Sequence, residues 1–406
     1  TLFPYTTLFR SHAAMKKLLL LISFVISLSA VGQDFTKTID SVKQKYAPDK
    51  RSTVFDIKAV PTNGPMVLSG ETSVPQAKAE LLKLAKAQGI ETLDAIKMLP
   101  DEKGLNGKTY GVVRIPVATL RYGASYASEQ ATQLLLGVPV RIFKQNDWYL
   151  VQTQEDYISW VPSSSIQPMT KQQYNDYVRE NKVIFLSDWG WAYEKPDASS
   201  QRVTDLVAGN ILIYKGTKGK YVHAALADGR ECYVAKADVA DFSQWAKKTR
   251  PTAENVIKDA YRFMGVSYLW AGTSAKLMDC SGFSKTVYML GGVILARDAS
   301  QQCLTGESID VSEGYKNLQP GDLVFFGNRT ADGKPNRVWH VGIYVGDGRF
   351  IHEAGDVHVN SFNPAHAEYS KYYVDRLVRA ARIIGNHDKG LGITSFEKNP
   401  YFQVQE

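Results

Sequence analysis

One cysteine and two histidines in this 406-residue sequence are spaced so that they could act together. Cys280 lies in Asp279-Cys280-Ser281-Gly282-Phe283, where Phe283, Val287 and Leu290 begin an apolar i, i+4, i+7 pattern. That period predicts a helix, with Asp279 as its N-cap and Cys280 at its first position. A thiol there meets unpaired N–H groups and the positive end of the helix dipole, and both favour thiolate, the nucleophilic form. An isolated Asp-Cys would read as a small buried residue beside an ordinary cap. Sixty residues on, His340 and His352 flank Gly346-Asp347-Gly348, a hairpin signal between two apolar runs. A turn centred on Asp347 sets residue 352 opposite 342, so both histidines share a face one diagonal step apart. The set suits a nucleophile, a base and a second imidazole that orients the base.

The elements needed to hold these groups are a helix start and two adjacent strands, in the order cysteine, histidine, polar orienter. That is the papain order. The stretches W-A-G-T, D-C-S-G-F, L-Q-P-G-D-L-V-F-F and H-V-G-I-Y-V-G-D-G-R-F-I-H follow one another over residues 251 to about 385. They resemble the NlpC-type cell-wall cysteine peptidases. Within that family the likeness is to γ-D-glutamyl-L-diamino acid endopeptidases with bacterial SH3-like domains ahead of the catalytic domain.

The resemblance implies an α+β chain: a papain-like cysteine peptidase domain at 250–406, preceded by two small SH3-like β-barrels at 109–170 and 183–245 and a small N-terminal α/β unit at 33–108. Patterning supports the layout. Val74 to Gly89 reads as a helix between short strands, with no chemistry in that unit. Residues 109–168 alternate in strand fashion, and 183–243 repeat the plan. Gly137 pairs with Gly209, Val140 with Leu212 and Tyr149 with Tyr221 at one offset of 72; after one inserted residue Trp160 matches Tyr233 and Ile166 matches Val239. The polar tail after about 385 has no assignment.

At the N-terminus, residues 1–11 match the translation of a sequencing-library adapter, so 1–14 read as an assembly artefact and Met15 as the start. Lys16-Lys17, the apolar run Leu18 to Leu28 and Ala30-Val31-Gly32 make 15–32 a signal peptide. Export, to the periplasm or beyond, is expected, with no membrane association after cleavage. The formal charge is +7; residues 1–32 carry Arg10, Lys16 and Lys17 and no acid, so +4 remains, which gives no nucleic-acid footprint. Cys232 and Cys303 read as small buried residues, with a bridge between them as the alternative. No cofactor is expected, and no metal, because neither C-x-x-C nor H-x-x-x-H spacing occurs.

What the resemblance implies further is acyl transfer to water at the bond between D-glutamate's γ-carboxyl and a diamino acid of peptidoglycan-derived peptides. Cys280 attacks, His340 moves the proton and His352 orients His340. Tyr268 adds a hydroxyl near the oxyanion, with a core tyrosine in Y-L-W as the alternative. Asp279, with Glu129 and Tyr157 from the first SH3-like domain, meets the free amine of an N-terminal L-Ala. Ser281 and Asp298 meet other charged ends, and Arg297 with Asp298 could instead be a structural ion pair. The rival readings are an endopeptidase of intact wall, an acyltransferase or amidase on the same core, and a non-catalytic wall-binding module.

Overall fold

The structure, a computed structural model, describes residues 35–406, and the chain divides after Asp101. The adapter-like residues and the expected signal peptide lie outside the described residues.

In the first unit, residues 35–46 form helix α1. Strands β1 (Phe55–Val60) and β2 (Met66–Thr72) pair antiparallel, and helix α2 (Pro75–Ala87) carries the chain across to β3 (Thr92–Met98), parallel to β2. A parallel pair needs such a crossover. Ala77, Leu81 and Ala85 of α2 pack with Leu68 and with Phe35 and Ile39 of α1 in one core.

The second unit opens with a seven-stranded sheet. Its strands are β4 (Tyr110–Val113), β5 (Val117–Arg121), β6 (Gln130–Leu135), β7 (Pro139–Gln145), β8 (Trp148–Gln152), β9 (Ile158–Pro162) and β10 (Ile166–Met169), in the order 10-4-7-8-9-5-6. Helix α3 (Lys171–Arg179), started by a capping box between Thr170 and Gln173, leads to a second sheet. Its strands are β11 (Lys182–Phe185), β12 (Trp189–Tyr193), β13 (Arg202–Val207), β14 (Ile211–Lys218), β15 (Tyr221–Ala225), β16 (Glu231–Ala235) and β17 (Val239–Asp241). Read from β17 the order is 17-11-14-15-16-12-13, the first sheet with seven added to each label. The repeat seen in the sequence is therefore a repeat of topology. One detail of the matching changes. The inserted residue lies in the β14–β15 turn, so Trp148 corresponds to Tyr221, and Tyr149 to Val222. Tyr149 and Val222 both face their sheets' cores, which is what keeps that register. Strands β5 and β6 do not stand out in the sequence, because their polar residues blur the alternation.

Helices α4 (Phe242–Lys248) and α5 (Ala253–Arg262) then lead to a short hairpin of β18 (Thr273–Ser274) and β19 (Leu277–Met278) and to helix α6 (Cys280–Leu290). Beyond it come β20 (Val293–Ile294), α7 (Ala299–Gln302), β21 (Glu307–Ile309), β22 (Leu323–Arg329), β23 (Pro335–Gly346), β24 (Arg349–Glu353), β25 (Val357–Ser361), α8 (Lys371–Val374), β26 (Leu377–Arg382) and β27 (Thr394–Ser395). A six-stranded sheet of order 21-26-22-23-24-25 packs one face on α6, whose residues are all buried. The tail without assignment is structural. Ser395 and Thr394 pair with β20, Tyr401 accepts from Tyr174, and Asn399 donates to the Gln154 carbonyl, so the tail straps the six-stranded sheet's domain to the first seven-stranded sheet.

Candidate active site

Helix α6 starts as its sequence demands. The Asp279 carboxylate accepts the Gly282 N–H at 2.7 Å, and Cys280 is the first helical residue. Gly282 is needed for close approach: a Cβ there would lie 1.9 Å from the Gly272 carbonyl oxygen, so any side chain would push the helix start off the preceding hairpin. Cys280 is 7% exposed, and the N–H groups of Val341 and Ser281 face its sulfur. Val341 is the residue after His340, so the contact ties the helix start to the histidine strand.

The hairpin has the register its turn specifies. Asp347 and Gly348 both take positive φ, 52° and 71°, and Gly342 stands opposite His352. A Cβ on Gly342 would press on the His352 Cβ at 3.1 Å, so glycine leaves the imidazole its space. His340 Nε2 and His352 Nδ1 are 2.7 Å apart, with the rings nearly perpendicular. His352 Nε2 lies 3.0 Å from Asn360 Oδ1 on β25. Phe326 and Tyr373 pack on the His340 ring and help to seal the pair.

Burial sets the electrostatics. It pulls the His340 imidazole down to about 4, against a smaller upward pull from Asp279, and holds His352 well below the usual range as well. It pushes the Cys280 thiol up to about 12, with Asp279 adding to the rise; the Val341 and Ser281 N–H groups and Arg297 oppose it. Burial thus works against the thiolate that the helix start favours, and against the charged form of the imidazole beside it.

The cysteine opens on a cleft of about 740 Å³ whose lining includes Tyr268, Asp279, Ser281, Asp298 and His340. Tyr268 is half-buried, and burial together with the nearby Cys280 and Asp279 raises its hydroxyl pKa. Asp279 is not a bare carboxylate. Arg297, 1% exposed, donates to Oδ2 at 2.7 Å and to Oδ1 at 3.2 Å, and Ala271 N–H adds a third bond. Arg297 also donates to Ser281 Oγ at 2.8 Å and, through Nε, to Thr132 Oγ1 of β6 at 3.0 Å. Arg297 thus forms a close ion pair with Asp279, eighteen residues away, and its neighbour Asp298 adds a weaker electrostatic pull.

The first seven-stranded sheet closes one wall. Tyr157 is 1% exposed, and its hydroxyl donates to Asp298 Oδ2 at 3.2 Å and lies 3.1 Å from the Tyr122 hydroxyl. Tyr122 and Ala131 line the cleft, whereas Glu129 is exposed just before β6 and outside the lining. Tyr122 and Asn360 are absent from the sequence reading, and Arg297 enters it only as an alternative ion-pair partner of Asp298. A signal for Asn360 was present: Ala354-Gly355-Asp356 is a turn, and the alternation Val357-His358-Val359-Asn360 puts 358 and 360 on the face of 352. Cys232 is buried and Cys303 half-buried at the cleft, and all three cysteines are free, so the alternative of a bridge does not hold. Among the described residues no group of three or more metal-ligating side chains converges, and no helix is long and apolar enough to cross a membrane.

A helix-capped thiol beside a buried imidazole pair, under a covering sheet domain, is the apparatus of a cysteine peptidase. Residues 265–382 match the NlpC/P60 family, and residues 120–166 match the bacterial dipeptidyl-peptidase Sh3 domain. This chain carries an NlpC/P60 cysteine-peptidase domain together with that SH3 domain. Over 235 residues it is 28% identical to the γ-D-glutamyl-L-lysine dipeptidyl-peptidase of Bacillus cereus (strain ATCC 10987 / NRS 248), spanning 56% of this chain and 68% of that protein. Over 260 residues it is 26% identical to dipeptidyl-peptidase 6 of Lysinibacillus sphaericus, spanning 60% and 88%. The solved structure of an NlpC/P60 family protein from Bacillus cereus ATCC 10987 superposes with a TM-score of 0.56 at 24% identity, over 67% of this chain and 99% of that one, and shares the fold.

Proposed function

We propose that this protein hydrolyses the γ-D-glutamyl–diamino acid bond of peptidoglycan stem peptides, and that it prefers peptides whose N-terminal L-Ala is free. In this reading the six-stranded domain is papain-like and the two seven-stranded sheets are tandem SH3-like barrels, with boundaries near 109–170, 183–245 and 250–406. The names of the relatives support the bond. The observation that carries the preference is the Tyr157–Asp298 hydrogen bond, in which a barrel residue and a cleft carboxylate meet at one wall of the cleft.

Cys280 attacks the γ-carbonyl and forms a thioester, and the leaving amine departs with a proton from His340; water, deprotonated by the same imidazole, then releases the acid. The Nε2 of His340 is engaged with His352, so Nδ1 is the nitrogen that serves the thiol. His340 takes the thiol proton as the sulfur attacks. The Cys280 N–H, at the first position of α6, has no intrahelical acceptor and serves as an oxyanion donor, with the Tyr268 hydroxyl as its partner.

The free ammonium belongs with Asp298, whose carboxylate the Tyr157 hydroxyl positions. The Asp279 charge is already balanced by Arg297, and Asp279 contributes shape and the fixed position of Ser281. Glu129, exposed and outside the cleft lining, is assigned no role in this reading. Arg337 and Arg379 also line the cleft and supply positive charge for substrate carboxylates. In an intact wall the L-Ala nitrogen is acylated by the lactyl group of the glycan, so the preferred substrates are peptides already freed by an amidase. In this reading residues 15–32 direct export, and the enzyme acts outside the cytoplasm. Rates on a free tripeptide, its N-acetylated form and purified sacculi test the reading. Equal rates on all three would replace it with a wall-remodelling endopeptidase.

A further inference from the structure

We infer that Asn360 is a positioning residue that decides which nitrogen of His340 carries the proton. The inference rests on the Cys280–His340 reading and goes beyond it.

The Glu368 carbonyl can only accept. It takes the Ser361 N–H at 2.9 Å and lies 3.3 Å from Asn360 Nδ2. Turning the Asn360 amide over would set two oxygens against each other, so its nitrogen stays toward Glu368 and Oδ1 toward His352. Oδ1 accepts, and at 3.0 Å its partner, His352 Nε2, must carry a hydrogen. A neutral imidazole has one N–H, so His352 Nδ1 is bare. That bare nitrogen lies 2.7 Å from His340 Nε2, which must therefore carry the hydrogen in its turn. His340 Nδ1 is left with its lone pair, the form a base needs. Burial of both rings keeps them neutral and so keeps each step binary.

Without Asn360 the pair has a second arrangement of similar energy. His352 could hold its proton on Nδ1 and donate it to His340 Nε2. The His340 proton would then sit on Nδ1, where it would confront the thiol as a donor. Nothing in the His340–His352 contact distinguishes the two arrangements. The acceptor on β25 does, from eight residues beyond His352.

The test uses the full chain with Asn360→Leu, which removes the acceptor, and Asn360→Asp, which keeps one. Imidazole ¹⁵N spectra of the native protein should show His340 protonated at Nε2, and the leucine variant should show a mixture of tautomers. The leucine variant should lose about 10- to 100-fold in kcat, a milder loss than that from misplacing a catalytic base outright, with KM little changed. Alkylation of Cys280 by iodoacetamide should slow with it, and Asn360→Asp should restore most of both rates. A native His340 protonated at Nδ1, or equal losses in the leucine and aspartate variants with unchanged tautomers, would overturn the assignment. The spectra and the alkylation need no peptide, so an error about the substrate would leave this result standing.

Discussion

Arg297 grips both carboxylate oxygens of Asp279, the residue immediately before the cysteine, from a position with almost no solvent exposure. The pair fixes the start of α6, and through Ser281 and Thr132 the same guanidinium ties that start to the covering sheet. A buried pair of this kind need not stabilise much by itself, but breaking one half leaves an uncompensated charge. Arg297→Met should cost about 3–5 kcal/mol of stability. Adding Asp279→Asn should recover a large part of that. Chemical denaturation of the single and double variants measures the coupling, and purely additive losses would contradict it.

His340 and His352 should differ in severity when replaced. Without His340 there is no base and no acid for the leaving amine. Without His352 the imidazole only loses its partner. His352→Asn should keep measurable turnover, and His340→Asn should fall by several orders of magnitude, to the level of Cys280→Ala. Purified variants with intact circular dichroism make the comparison, and the reverse order would exchange the two roles.

Much of this site is legible in the sequence. The Asp279 cap needs only local backbone geometry, and the Gly-Asp-Gly turn fixes the hairpin register, so Cys280, His340 and His352 follow from rules that act over a few residues. The parts that are not legible depend on chain packing. The sequence offers Arg297 a carboxylate next door, and only the fold brings Asp279 nearer. Glu129 and Tyr122 lie on one loop of the first sheet, and which of them faces the cleft is decided by how that loop docks. The thiol's pKa does not follow from the helix start alone, because the burial that outweighs the dipole is a property of the assembled cleft.

The pH dependence follows from the depressed histidine. With the His340 imidazole at about 4 and the Cys280 thiol at about 12, both stay neutral across the physiological range. The activity kcat/KM should hold as pH falls below the ordinary histidine value of about 6.5 and decline only as His340 protonates near 4. Stability behaves differently. Unfolded histidines bind protons from about 6.5 downward while folded His340 and His352 do not, so their contribution is complete above that pH and is lost as pH falls toward 4. Glu353, buried and raised to about 7, acts in the opposite sense and favours the folded state at low pH. Melting curves of the native chain and of Glu353→Gln between pH 4 and 7 separate the two, and the variant should lose stability more steeply on acidification. An activity midpoint near 6.5 would show that His340 is far more open to water than its position indicates.

Recognition of the free amine gives a prediction on selectivity. A site that holds an ammonium on a half-buried carboxylate discriminates against a neutral amide, which brings no charge to meet it. Asp298→Asn should erase most of the preference for free over N-acetylated tripeptide, and Tyr157→Phe should weaken it. Glu129→Gln should change nothing. Selectivity that follows Glu129 instead would return that residue to the pocket.

At the centre of the proposed function, Cys280 cleaves one bond, between the γ-carboxyl of D-glutamate and the diamino acid. Mass spectrometry of the products from L-Ala-γ-D-Glu-diaminopimelate, with native protein and Cys280→Ala side by side, tests it directly. The native protein should yield L-Ala-D-Glu and free diaminopimelate, with a dipeptide thioester on Cys280 trapped at early times, and the alanine variant should yield neither. Cleavage at the L-Ala–D-Glu bond, or undiminished turnover by Cys280→Ala, would contradict it.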